Sequence, residues 1–207
     1  MTEPSQDATR HRLLDAALAV FAEKGFHKAS VRDICQRAQA NVASINYHFG
    51  DKAGLYRYVF EQAASRLQTF GPALALPDPQ EALTAYYLAL LAPLVQGENE
   101  RHMARIHARE EFEPTGILSD MKGKYLKPVH DCLLKFVCQQ TGREEADLYV
   151  ERLAFSLVGM GAFYLHARPV IEQLKPQLFT EGDWLKDLAE QLALQAITML
   201  QAAKERQ

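Results

Sequence analysis

The sequence predicts an all-α chain, with a small N-terminal domain of three helices and a larger helical body. Three observations carry this. Apolar residues recur at helical spacing along the 207 residues, and no stretch alternates convincingly as a strand. Glycines and prolines fall between the periodic stretches. Near the N-terminus two of the stretches are short and joined by a tight turn, whereas later ones are long.

The first helix spans about residues 9–24. Leu13, Leu14, Ala17, Leu18 and Phe21 share one face, and Gly25 is its stop. Ser30 caps a short second helix with Val31, Ile34, Cys35 and Ala38 on one side. After Gln39 and Ala40, Asn41 caps a third with Val42, Ile45 and Phe49 as its apolar positions, and Gly50 ends it. Asp51 opens a fourth, reaching residue 70, with Leu55 and Val59 inward. Residues 71–79 hold three prolines and break helicity. Helices are expected at about 79–96, 99–112, 117–141 (with a kink at Pro128), 143–166 and 183–203, plus a short piece at 169–174. Residues 1–56 are assigned to the N-terminal domain and 57–207 to the body, with the helix at 51–70 as the link.

Net charge is −3, but it is unevenly placed. Residues 1–60 carry eight Lys/Arg against six Asp/Glu, whereas the remainder carries an acidic excess. Cys35, Cys132 and Cys138 form no CxxC and read as reduced, mostly buried thiols. MTEPSQDATR lacks the apolar core of a signal peptide. Leu83–Val95 is too short for a membrane span, and Leu153–Leu165 is bounded by Arg152 and His166. No membrane partner is expected, and the location is read as cytoplasmic. A di-iron bundle would need a Glu-x-x-His on each of two helices, which the chain lacks. Neither a Gly-rich phosphate loop nor a nucleophile in a recognisable setting occurs, so no catalytic residue, metal or cofactor is expected.

The first two short helices read as a helix-turn-helix, whose second member lies in the major groove of DNA. Its outer face carries Asn41, Ser44, Asn46, Tyr47 and His48, which are hydrogen-bonding and stacking groups without bulky charge. Lys52 opens the next helix, where its ammonium and the helix N-terminus can meet one phosphate.

The segment AALAVFAEKGFHKASVRDICQRAQANVASINYHFGDKAGLY resembles the DNA-binding domain of the TetR family. The likeness lies in Ala19 to Gly25 with Phe21, in Ser30 opening the second helix, and in the run Asn46 to Tyr56 through Phe49, Lys52 and Leu55. It implies that Ser30 and Arg32 contact phosphate. It implies that Asn41, Val42, Ala43, Ser44 and Asn46 face base edges, and that Tyr47, His48 and Lys52 grip the backbone. Two positions depart from the pattern. Gln39 stands where the turn usually has glycine, and Asn46 where the run usually opens with tyrosine.

The body resembles the subgroup with a CecR-like C-terminal domain. The likeness rests on Ala108 to Thr115, on Leu126-Lys127-Pro128-Val129, and on Phe155, Leu165 and Arg168-Pro169. It implies that the last two long helices pair across a two-fold axis, with Leu153, Leu157, Met160, Leu188, Leu192 and Ala196 as dimer contacts. His102, Arg105, His107 and Arg109 cluster before an apolar patch. One reading joins them to Phe112, Tyr125, Phe155 and Tyr164 in a ligand pocket. The alternative is a solvated charged face.

The expected function is a homodimeric, sequence-specific regulator bound to palindromic double-stranded DNA, a repressor released by a small-molecule effector. Two rivals remain open. One is a helical metal- or cofactor-binding enzyme. The other is a non-specific architectural DNA binder, which should carry a larger basic surface than this head.

Overall fold

Glycine, proline and capping side chains divide the chain into ten α-helices among the described residues, with no strand. The structure, a computed structural model, describes residues 6–205, with side chains except at 6, 63–66 and 122. The helices are α1 (Gln6–Lys28), α2 (Val31–Ala38), α3 (Val42–Phe49), α4 (Lys52–Ala64), α5 (Phe70–Leu74), α6 (Pro79–Leu91), α7 (Glu98–Phe112), α8 (Ser119–Thr141), α9 (Leu148–Leu174) and α10 (Trp184–Lys204).

Two elements differ most from the sequence prediction, while α1 runs on past Gly25 to Lys28 and the helix expected over 79–96 ends at Leu91. The single helix expected over 51–70 ends at Ala64, and a 3₁₀ turn (Ser65–Thr69) and α5 follow it. Pro72 sits in the first turn of α5, where its missing N–H would be unpaired in any case. The second difference is α9. It begins at Leu148, because the Asp147 carboxylate caps it by accepting from the Tyr149 and Val150 amides, both at 2.9 Å. It then runs through Pro169 to Leu174 rather than stopping at His166. Tertiary context overrides the proline there. The Arg168 guanidinium donates to the Leu94 carbonyl and pairs with Glu172 one turn on. At 27 residues, α9 is the one helix among the described residues long and apolar enough to cross a membrane by length and composition.

The chain forms two compact units. Among the described residues, one comprises 6–66 and 96–123, the other 67–95 and 124–205. The first unit thus includes α7, which the sequence assigns to the body. In it α1 packs against α2, α4 and α7. Residues 16–22 of α1 are all buried, and AALAVFA is apolar around the whole helix rather than on one stripe. The ring of Phe21 meets Tyr56 edge-on at 4.8 Å.

The second unit buries Leu83, Tyr87 and Leu91 of α6 with Leu153, Ala154 and Leu157 of α9 and Ala189, Leu192 and Ala196 of α10. The Tyr87 hydroxyl donates to the Leu157 carbonyl at 3.0 Å. Gly161 lets α6 approach α9, since a Cβ there would stand 2.6 Å from Leu90 Cδ2. All three thiols are free; Cys35 and Cys138 are buried, and Cys132 is exposed.

The residues expected as dimer contacts lie in or against this core. Leu153, Leu157, Leu192 and Ala196 are buried inside their own chain, and Met160 and Leu188 pack partly buried against the same core. An apolar stripe records that a residue is covered, not which chain covers it.

Candidate nucleic-acid interface

The recognition region is built from three short-range devices. Ser30 and Asp33 form a reciprocal capping box at the start of α2. Ser30 Oγ accepts from the Asp33 amide at 3.0 Å, and the Asp33 carboxylate accepts from the Ser30 amide at 3.3 Å. Lys24 pairs with Asp33 at 2.9 Å and, with these hydrogen bonds, holds its carboxyl below the usual range. At the far end of α2, Arg12 Nε donates to the Ala38 carbonyl at 3.2 Å. The Asn41 side chain caps α3 by accepting from the Ala43 amide at 3.0 Å.

Gln39 makes the turn between α2 and α3. With φ 50° and ψ 47° it is the one non-glycine residue at positive φ among the described residues. That conformation costs a non-glycine residue roughly 1–2 kcal/mol, and glycine's extra freedom in the unfolded chain offsets about half. Gln39→Gly is therefore expected to stabilise the chain by roughly 0.5–1 kcal/mol in urea unfolding. An unchanged midpoint would mean the turn is unstrained.

Ile45 faces inward and is fully buried. Val42, Ala43, Asn46 and Tyr47 stand on the opposite, exposed arc of α3, with Tyr47 72% exposed. Val42 thus belongs to the exposed face rather than to the apolar seam. Ser44 and His48 are half-buried at its edges. A row of rings backs this arc: Tyr47 meets His48 at 5.0 Å, His48 meets Phe49 at 5.9 Å, and Phe49 meets Tyr58 at 5.6 Å. The Arg10 guanidinium closes the row 4.5 Å over Tyr58.

Most cations of the unit have partners. Lys24 holds Asp33, Arg37 holds Glu23 at 2.8 Å, and Arg57 holds Asp120 at 3.0 Å. Arg32, beside the Ser30 cap, and Lys28 are both exposed. Lys28 stands two positions before the Ser30 cap, a spacing readable in the sequence.

Lys52 has an intramolecular task. Its ammonium donates to the carbonyls of Phe26 at 3.0 Å and Ala29 at 2.9 Å, and lies 4.3 Å over the Phe26 ring. It therefore ties α4 to the end of α1 and to the residue that follows it. Lys52→Ala is expected to lower stability by about 2 kcal/mol without DNA, from two charge-assisted bonds and a cation–π contact. A purely phosphate-binding lysine would leave urea unfolding unchanged.

The residues assigned to one pocket are divided between the two units. His102, Arg105, His107, Arg109 and Phe112 belong to α7 in the first unit, and Tyr125, Phe155 and Tyr164 to the second. Several of the α7 group grip the first unit instead. His107 packs on Phe60 with ring centroids 4.5 Å apart, and Arg109 covers Gly25. The adjacent Glu110 is buried and accepts from the Tyr56 hydroxyl at 2.9 Å. Burial, then that carboxylate, pushes the Tyr56 phenol up. Phe112 is exposed; Phe155 is exposed and stacks on His130 at 4.9 Å. No group of three His, Cys, Asp or Glu placed to hold a metal occurs among the described residues.

Two short helices locked by a buried seam, with the second presenting an exposed outer arc, form the head of a helix-turn-helix DNA-binding regulator. Known proteins agree. Residues 13–59 match the family model of bacterial regulatory proteins of the tetR family, and residues 79–203 match that of the C-terminal domain of the HTH-type transcriptional dual regulator CecR. A probable HTH-type transcriptional regulator of Bacillus subtilis, YttP, is 28% identical over 123 residues, 58% of each protein. The HTH-type transcriptional dual regulator CecR of Shigella flexneri is 24% identical over 165 residues, 74% of each. The fold of a solved transcriptional regulator from Rhodococcus sp. Rha1 matches with a TM-score of 0.66 at 20% identity, over 97% of this chain and 98% of that one. The chain belongs to the TetR family of bacterial transcription regulators, with a C-terminal domain of the CecR type. It is a DNA-binding regulator and not an enzyme.

Proposed function

We propose that the chain is a homodimeric repressor that reads a palindromic operator and leaves it when a small molecule binds. The observation that carries the DNA half of this reading is the exposed arc Val42, Ala43, Asn46 and Tyr47 on a capped, rigidly seated α3. Asn46 can donate and accept bidentately to an adenine edge, and the methyl groups of Val42 or Ala43 suit a thymine methyl. Ser30, Arg32 and Lys28 then meet phosphate at the start of α2, while Tyr47 and His48 flank the backbone. Asn41 gives its side-chain oxygen to the cap of α3, which leaves its amide hydrogens for DNA.

The dimer half rests on α9. Its outer side carries Phe155 at 63% and Phe163 at 61% exposure, with Val170 and Leu174 further along, and exposed Leu194 lies on α10. Gly159 stands between the two phenylalanines with open space around its Cα. Such a stripe on a helix this apolar needs a partner surface, and a second copy supplies it with two-fold symmetry. The effector acts in the body, by preferring the dimer state in which the two heads are wrongly spaced for the operator. A cytoplasmic setting follows from this role.

In vitro selection of bound DNA at fixed salt tests the reading. It should return a palindrome with half-sites about one helical turn, or slightly more, apart. Asn46→Ala should relax preference at one base pair per half-site, costing roughly 1–3 kcal/mol against the cognate site. Recovery of unrelated sequences would instead describe a non-specific binder.

A further inference from the structure

Lys52 opens α4 at the C-terminal flank of α3, but the Phe26 and Ala29 carbonyls and the Phe26 ring engage its ammonium. A different cation stands at that flank. Phe49, the last residue of α3, meets Tyr58 of α4 at 5.6 Å, and the Arg10 guanidinium of α1 lies 4.5 Å over the Tyr58 ring. We propose that Arg10 is a DNA-contacting residue, which uses Tyr58 as a platform and grips a backbone phosphate beside the C-terminal end of α3. The proposal deepens the reading of α3 as the groove-seated helix and rests on it. The family resemblance implies no role for Arg10.

Three observations carry this. First, the start of α1 is fixed in rotation behind α3. Leu13 is fully buried, and Arg12 Nε donates to the Ala38 carbonyl at 3.2 Å, next to the turn that opens α3. Arg10, two residues before Arg12, lies on the opposite side of α1 and meets Tyr58 at the far end of α3. Second, Lys24, Arg37 and Arg57 each hold a carboxylate, whereas among the described residues Arg10 holds a ring. Cation–π attraction places the charge without a carboxylate to neutralise it, so the N–H fork is left for an anion. Third, the row of rings is continuous with the reading face. From Tyr58 it passes through Phe49 and His48 to Tyr47, which is 72% exposed beside Asn46.

The residue type suits the task. A helix in the major groove has a phosphate chain on either side. The start of α2 serves one chain, and Arg10 serves the other together with Tyr47 and His48. A planar guanidinium can stack its face on a ring while its edge meets two phosphate oxygens. Lysine at the same place would keep the charge and lose the fork. A phosphate contact carries no base information, so Arg10 sets affinity and register while Asn46 sets preference.

The test is a fluorescence-anisotropy titration of the full-length protein over about 50–200 mM salt, with a duplex recovered by in vitro selection and one of random sequence. Arg10→Ala should weaken binding to both duplexes about tenfold per head and lower the salt slope by about one per head. Arg10→Lys should keep the slope and lose about threefold. Arg57→Gln is the control, because Arg57 is an exposed cation of the same unit paired with Asp120, and its slope should match the parent. An unchanged slope with Arg10→Ala overturns the proposal even if thermal unfolding shifts, since an arginine that only braces the fold releases no counterions. An equal fall in slope with Arg57→Gln also overturns it, as a general effect of charge. Asn46→Ala distinguishes the proposal from the reading beneath it. If it alters base preference while Arg10→Ala leaves the slope alone, the role of Arg10 falls by itself. If base preference survives Asn46→Ala, the reading of α3 falls and the proposal falls with it.

Discussion

Gly25→Ala is expected to remove about 3 kcal/mol from the stability of the first unit and to weaken operator binding with it. Gly25 has φ 73° and ψ 165°, a region that essentially only glycine enters, so a side chain there costs roughly 1–3 kcal/mol. A Cβ would also stand 2.5 Å from Arg109 Nη1 and 3.1 Å from its Cδ. Displacing that guanidinium adds roughly 1 kcal/mol of off-rotamer strain. The kink matters for DNA because it delivers the Phe26 and Ala29 carbonyls to the Lys52 ammonium. Urea unfolding checks the first claim, and an operator titration at fixed salt checks the second. Adding Arg109→Ala should recover only the steric part. A Gly25→Ala protein within about 0.5 kcal/mol of the parent would show that the kink is not maintained in solution.

A charge on the outer side of α9 should have the largest effect on DNA affinity. Phe155→Glu with Phe163→Glu is expected to give a monomer in sedimentation that binds the palindrome about 100-fold more weakly or worse. Two heads joined in a dimer engage the second half-site at high effective concentration, and a monomer loses that gain. Both phenylalanines are well exposed, so thermal unfolding of dilute protein should barely move. Leu157→Ala is the contrasting control. Its side chain is fully buried in its own chain, and its loss should cost about 2–5 kcal/mol with no direct effect on pairing. A dimer that survives both glutamates would place the interface elsewhere.

The head was legible because its signals are local. Ser30, Asn41 and Gly50 lie next to the helix ends they define, and Gln39 stands visibly where a left-handed turn is needed. The outward arc of α3 follows from 3.6-residue periodicity alone. What escaped is non-local. Nothing adjacent to Lys52 announces that Phe26 and Ala29, more than twenty residues away, will claim its ammonium. The contacts of His107 with Phe60 and of Arg109 with Gly25 are likewise set by tertiary packing. Leu157 and Phe155 are equally apolar in sequence, and only the packed structure sorts one inward and the other outward. The unbroken run of α1 residues 16–22 was the readable hint that a further helix would cover the far side of α1.

That covering helix has a consequence for biogenesis. A ribosome delivers α1 to α4 first, but their apolar back remains bare until Glu98–Phe112 has been synthesised and has cleared the exit tunnel. At roughly 5–20 residues per second the nascent head waits several seconds for its last wall. During that wait the alanine-rich side of α1 lacks its α7 cover. The protein thus acquires a competent reading head only after the middle of the chain has been made. A fragment cut at residue 66 should expose that same side and self-associate.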